Sequence, residues 1–189
     1  YNYDGRSRLA SVVTPQGTLT YTYNVVGNIL SVKSSNPQGL SVQFGYDLLN
    51  RLQQVNDQNL PANENQTQYS YDQVGNLSNI TLPNLVTTSY GYNTLNRLTN
   101  VTSSKGATPI SSYAYLLGNA GNRLRVSELT GRVVDYGYDS IYRLTNETIT
   151  GNTNPSLNGS VSYAYDEVGN RLSRTSTLAV VPSQQNIIV

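Results

Sequence analysis

The chain has 189 residues, with 16 Tyr, one Phe and no Cys, His, Met or Trp, which excludes disulfides, thiolate nucleophiles and the commonest general base and metal ligand. Twelve basic and 11 acidic side chains leave a net charge of +1, without the basic excess of a nucleic-acid-binding surface. Leu, Ile, Val and Phe supply 47 residues, enough for a folded chain, while Asn, Ser and Thr supply 63, the composition of strands joined by turns.

In chain order the aromatic residues mark one recurring element. The pairs are Tyr1/Tyr3, Tyr21/Tyr23, Phe44/Tyr46, Tyr69/Tyr71, Tyr90/Tyr92, Tyr113/Tyr115, Tyr136/Tyr138 and Tyr163/Tyr165, eight repeats that use 15 of the 16 tyrosines. Residues i and i+2 of a strand share a face, so each pair sets two rings on one side of a strand. Asp4, Asp47, Asp72, Asp139 or Asp166 follows the second ring and can open a turn by bonding the backbone two residues on; Asn24 and Asn93 fill the same slot. Leu or Ile then starts a return strand. Stretches such as Ser34 to Gly39 and Thr150 to Gly159 carry the Pro, Gly and Asn of loops.

A second period lies over the first. Even repeats carry a turn Gly, at Gly27, Gly75, Gly121 and Gly169, whereas the third, fifth and seventh lack it and place Gly45, Gly91 or Gly137 between the aromatics. The unit is therefore a pair of hairpins, and these last three glycines are candidate points of close backbone approach or bending. The predicted fold is all-β: consecutive antiparallel β-hairpins forming one long curled or spiralling sheet, since a flat sheet of so many strands rarely persists. Residues 1–189 read as a single array of about eight hairpins, with 176–189 starting a further strand or linker. The chain opens inside a motif, so a longer repeat protein is expected around it.

Chemistry is sparse. The motif Asp residues occur once per repeat, as turn caps do, rather than clustered as calcium ligands. Arg8, Arg51, Arg97, Arg123, Arg143 and Arg171 recur just before Leu, where each guanidinium can stack on a Tyr ring or pair with a motif Asp. Ser103-Ser104-Lys105 and Lys33-Ser34-Ser35 hold the residue types of a Ser/Lys dyad, but both are expected in loops, and no catalysis is assigned to them. Asn-x-Ser/Thr sequons occur at Asn65, Asn76, Asn79, Asn100, Asn146 and Asn158, about the number chance supplies in so Asn-rich a chain. No catalytic residue, metal site or cofactor is expected.

The alternation of Tyr165-Asp-Glu-Val-Gly-Asn-Arg-Leu172 with Tyr46-Asp-Leu-Leu-Asn-Arg-Leu52 resembles the tyrosine-aspartate (YD) repeats of Rhs proteins, found also in the B and C components of insecticidal toxin complexes and in teneurins. The resemblance spans essentially residues 1–175. It implies a hollow spiralling shell that holds a toxin domain in bacteria or serves adhesion in teneurins. The function expected is a non-enzymatic wall of a secreted, extracellular or cell-surface shell or scaffold. Expected partners are neighbouring repeats of the same or identical chains, an encapsulated toxin domain, or a cell-surface glycan or protein, with neither nucleic acid nor membrane insertion. Two alternatives stay open. One is a fibre subunit assembled by head-to-tail edge pairing, using strand-like Leu178 to Val181 and Asn186 to Val189; the other is a carbohydrate- or cell-surface-binding module working through its Tyr rows.

Overall fold

The computed structural model describes residues 1–62 and 64–185. Among the described residues seventeen strands run in order: β1 (Asn2–Tyr3), β2 (Leu9–Thr14), β3 (Gly17–Tyr23), β4 (Ile29–Ser34), β5 (Ser41–Tyr46), β6 (Leu52–Asp57), β7 (Gln66–Tyr71), β8 (Leu77–Thr81), β9 (Val86–Tyr92), β10 (Leu98–Lys105), β11 (Thr108–Leu117), β12 (Arg123–Glu128), β13 (Val133–Tyr138), β14 (Leu144–Thr150), β15 (Gly159–Tyr165), β16 (Arg171–Ser176) and β17 (Gln184–Gln185). The one helical piece among the described residues is a 3-10 turn at Pro155–Leu157. The chain is all-β, as its composition predicts, and it divides into two compact units. The first comprises Tyr1–Thr88 with Lys105–Ala107, and the second Ser89–Ser104 with Thr108–Val189.

In the first unit β1 to β8 pair in succession, every pairing antiparallel, and in the second β11 to β17 do the same. Each is an open sheet of hairpins, with no closure into a barrel. Cross-strand partners share a face, so the register assigns both faces. In the first unit Tyr21, Val32 and Val42 lie in one row, with Phe44 opposite Val55 and Tyr69 opposite Ile80. In the second, Tyr115, Val126, Val134 and Ile149 form the matching row. The Tyr pairs therefore occupy the apolar face. The other face carries amides and hydroxyls, such as Ser31 beside Gln43, Gln54 beside Gln68 and Asn146 beside Ser162.

Burial is shallow because the hairpins touch mainly their sequence neighbours. Among the described residues the buried apolar side chains are Val126, Val134, Val161 and Leu178, all in the second unit. Most of the apolar face is half-buried, its side chains lying along one another.

The expectation of a strand at Leu178 to Val181 is corrected: the Val181 N–H donates to the Leu178 carbonyl at 3.1 Å, closing a turn that seats buried Leu178 against Gly159. Asn186 to Val189 lie outside the described residues. The dyad-like triplets are also corrected. Ser103, Ser104 and Lys105 end strand β10, and Lys33 and Ser34 end β4, since alternating Thr and Ser before a Gly suit a strand as well as a loop.

Candidate structural site: the repeat turns and their clamps

Each repeat turn is closed by the same backbone bonds. In the third repeat the Asp47 N–H donates to the Arg51 carbonyl at 2.9 Å and the Asn50 N–H to the Asp47 carbonyl at 3.0 Å. The Asp47 carboxylate lies across the turn: Oδ1 accepts the Leu49 and Arg51 N–H groups, both at 2.9 Å, while Oδ2 accepts from Arg51 Nε at 2.7 Å. Asp4 and Asp139 repeat this arrangement with Arg8 and Arg143. In the even repeats Asp72 and Asp166 instead receive the side-chain amide of Asn76 or Asn170 on Oδ2. Asn24 and Asn93 each accept two backbone N–H groups on Oδ1. Both oxygens of each motif Asp are thus engaged inside the turn.

The alternation of Gly with other residues has a backbone cause. The fourth turn residue has positive φ in all eight repeats, but at two different values. Gly27, Gly75, Gly121 and Gly169 stand at φ 104, 97, 90 and 95, whereas Ser7, Asn50, Asn96 and Tyr142 stand at 58, 60, 57 and 64. The second group sits in the left-handed well near 57°, which Asn tolerates; the first lies beyond it, where only Gly is at ease. Tyr142 is the one bulky residue in the second group and is exposed. Tyr142→Asn should therefore stabilise the chain by about 1 kcal/mol, read as a higher midpoint in thermal or urea unfolding. An unchanged or lower midpoint would mean that the Tyr142 side chain makes contacts worth more than the strain.

Arginine couples the turns in pairs. Arg8, Arg51 and Arg143 leave their own turns and stack on the second Tyr of the next hairpin, with the guanidinium 4.4 Å from the Tyr23 centroid, 4.3 Å from Tyr71 and 5.0 Å from Tyr165. Arg8 Nη1 also donates to the Asn24 carbonyl at 3.1 Å, and Arg143 Nη1 to the Asp166 carbonyl at 2.8 Å. Arg97 donates to the Gly118 and Asn119 carbonyls, each at 3.1 Å. Every one of these contacts runs from an odd repeat to the following even one. That is the physical content of the two-hairpin period.

Arg97 also exposes a flaw. Its turn opens with Asn93, which offers no second carboxylate oxygen, and Arg97 Nε is the one buried side-chain polar atom without a hydrogen-bond partner among the described residues. Asn93→Asp should supply the acceptor that Asp4, Asp47 and Asp139 supply elsewhere. The expected gain is about 1 kcal/mol, the scale of a buried unsatisfied donor, and a thermal midpoint higher by roughly 3 °C. A double-mutant cycle with Arg97→Lys must show coupling; additive effects would remove this explanation.

Tyrosine hydroxyls tie five of the hairpins to the one before. The hydroxyls of Tyr23, Tyr46, Tyr71, Tyr138 and Tyr165 donate to the carbonyls of Leu9, Ile29, Leu52, Arg123 and Leu144 at 2.7 to 2.8 Å. The acceptor is always the first residue of the preceding return strand. The sixth repeat departs from the pattern. Its turn runs from Gly118 to Asn122, so Leu117 fills the slot a second Tyr fills elsewhere, and Tyr113 and Tyr115 sit two residues further back. Tyr115 instead receives Arg123 over its ring at 4.8 Å, and Arg171 lies 5.9 Å from the Tyr163 centroid.

The remaining predicted positions are placed as follows. Tyr1 and Tyr3 are exposed at the β1 edge, and Tyr90 and Tyr92 lie in β9. A Cβ added to Gly45, Gly91 or Gly137 would meet the Cβ of the cross-strand Gln54, Asn100 or Asn146 at 3.2 to 3.4 Å, so these glycines mark close cross-strand approach. The sequon amides of Asn76, Asn79, Asn146 and Asn158 donate to Asp72, Ser70, Thr148 and Asn152. Asn100 accepts from Thr102, while Asn65 gives its carbonyl to the Asp57 N–H. Among the described residues no three His, Cys, Asp or Glu converge as a metal site, and no helix is long and apolar enough to cross a membrane. Two ion pairs went unread in the sequence: Arg125 with Asp135 across β12 and β13, and Arg132 with Glu128, whose turn has the same five-residue form as the YD turns.

These environments displace the titrations. The Arg8 N–H and side chain hold the Asp4 carboxyl down at about 2. The Arg51 N–H lowers Asp47, the Arg143 side chain lowers Asp139, and the Asn170 amide lowers Asp166. For Asp72 partial burial pushes upward, but bonds from Asn76 and the turn N–H groups outweigh it. Burial, reinforced by a 2.6 Å bond to Glu147, raises the Tyr163 phenol to about 12. Burial likewise raises Tyr46, Tyr136 and Tyr138. A depressed carboxyl stabilises fully above its unfolded value of ~4 and loses that contribution as pH falls towards 2. A raised phenol stabilises fully below ~10 and loses its contribution as pH rises towards 12. With no His in the chain, thermal midpoints should be flat from about pH 5 to 9 and fall on both sides. A step near pH 6.5 would contradict this.

The comparisons with known proteins agree with this geometry. Residues 3–36 and 71–108 match the family model of the RHS repeat. In those two segments the chain is similar to Rhs repeats. Its fold is similar to solved TcdB2-TccC3 assemblies. Against the complex with Cdc42 the TM-score is 0.71 at 17% identity, over 89% of this chain and 9% of that one. Against the form without the hypervariable C-terminal region it is 0.70 at 19% identity, over the same shares. Against a Photorhabdus luminescens Tc holotoxin pore carrying a TccC3 variant it is 0.71 at 17% identity, again over 89% and 9%. The chain therefore spans about a tenth of the length of the solved chains it resembles. No curated protein matches by sequence.

Proposed function

We propose that the chain is a non-enzymatic stretch of β-sheet wall in a larger secreted or cell-surface shell, of the kind that encloses a protein cargo. The observation that carries this reading is the use of the repeat chemistry: the motif Asp, Arg and second Tyr groups are spent on closing turns and joining hairpins. Its partners are the repeats on either side and a cargo domain within the shell. The fold likeness to TcdB2-TccC3 assemblies supports a wall built by winding many more such hairpins. Sugar recognition by the Tyr rows is less favoured, since five of the second tyrosines already give their hydroxyls to backbone carbonyls.

Electron microscopy of the native assembly containing this chain is the test. Discrete hollow particles labelled on their walls by an antibody fragment against residues 1–185 are expected. Filaments in place of particles would overturn the shell in favour of a fibre, and turnover of a substrate by this chain alone would overturn the structural assignment.

A further inference from the structure

We infer that the hairpin turns of each unit dock against the same turns in a second copy of this chain. The third turn residue is aliphatic and faces outward in six of the eight repeats: Val26, Leu49 and Val74 in the first unit, Leu95, Ile141 and Val168 in the second, each between 61% and 84% exposed. A turn tip facing water ordinarily carries Gly, Asn, Asp or Ser. Nothing inside the hairpin asks for an aliphatic group here. These positions have ordinary φ, and their backbone N–H groups cap onto the motif Asp or Asn whatever the side chain. The reason for the aliphatic row lies outside the hairpin.

Area and charge identify the occupant. Successive hairpins lie two strands apart, roughly 10 Å, so the tips of one unit form a row. With Val25 and Leu48 beside them, the first unit's tips expose roughly 400 Å² of apolar surface, taking ~100 Å² for a fully exposed Val or Leu side chain. That is about half of the ~800 Å² per partner of a stable interface, near the apolar share such interfaces carry. In the first unit the charges at this end are Asp4, Arg6, Arg8, Asp47, Arg51 and Asp72, three of each sign, with Asp4–Arg8 and Asp47–Arg51 paired within their turns. In a two-fold contact a surface meets itself, so a balanced end can close without repulsion. A strongly basic or acidic partner would find no opposing field.

Sedimentation velocity of the whole chain tests this. Reversible dimers are expected in the range of ~1–100 μM, with an association that added salt does not weaken. The triple variant Val26→Asn, Leu49→Asn, Val74→Asn and the triple variant Leu95→Asn, Ile141→Asn, Val168→Asn should each weaken dimerisation at least tenfold, with the circular dichroism spectrum and thermal midpoint kept. The six substitutions together should leave a monomer; if that variant does not fold, each triple variant carries the same test. A wild-type chain monomeric at ~100 μM, or a folded variant that associates like wild type, overturns the proposal.

Discussion

Gly151→Ala is expected to lower stability by about 3 kcal/mol, and the thermal midpoint by roughly 6–12 °C. Gly151 stands at φ +74, where an alanine already costs about 1 kcal/mol. The larger effect is steric: a Cβ there would lie 2.0 Å from the Gly131 carbonyl oxygen and 2.9 Å from its carbon, so backbone rather than a flexible side chain must move. The control is Gly169→Ala. Gly169 also has positive φ, at 95, but a Cβ would meet nothing within 4 Å, so only the conformational cost of about 1 kcal/mol applies. If the two variants melt within about 2 °C of each other, the close approach of the Gly131 and Gly151 backbones does not exist in solution.

Val134→Asp is the second large effect, at about 4 kcal/mol. Val134 is only 2% exposed and lies between Val126 and Ile149 on the apolar face, so a carboxylate there meets aliphatic neighbours. Val13→Asp supplies the contrast, because Val13 is largely exposed and lies opposite Thr18; its cost should stay within about 0.5 kcal/mol. Urea unfolding of both variants separates these outcomes. Similar midpoints would mean that the second unit has no tighter core than its surface.

Much of this architecture is legible in the sequence, for a physical reason. Tyr-x-Tyr pairs followed by Asp and a Gly or Asn write strand, cap and positive φ in local terms, so strands ending at Tyr46 or Tyr165 need no tertiary information. The two-hairpin period was visible as alternating Gly, but its cause was not. Whether the fourth turn residue stands near φ 60 or near 95 depends on the fold of each turn, and Tyr142 in that slot gives no local warning. The hydroxyl of Tyr71 reaching the Leu52 carbonyl was also hidden, because any residue offers a carbonyl and no side-chain pattern marks this one. The sixth repeat misled for the opposite reason: Tyr113 and Tyr115 looked like an ordinary pair, whereas the turn is placed by Gly118 and Gly121.

The alternating clamps also bear on how the array comes apart under load. Three junctions from odd to even repeats hold an arginine clamp as well as a tyrosine bond, at Arg8 with Tyr23, Arg51 with Tyr71 and Arg143 with Tyr165, while the junction from the fifth repeat to the sixth holds the Arg97 clamp. Two junctions from even to odd repeats, Tyr46 to Ile29 and Tyr138 to Arg123, hold the tyrosine bond, with no arginine stacked across them among the described residues. A chain of units with alternating strong and weak couplings yields at the weak ones. Pulled from its ends in an optical trap, the array should lengthen in steps of two hairpins, about 46 residues or roughly 150 Å of released chain, rather than one hairpin at a time.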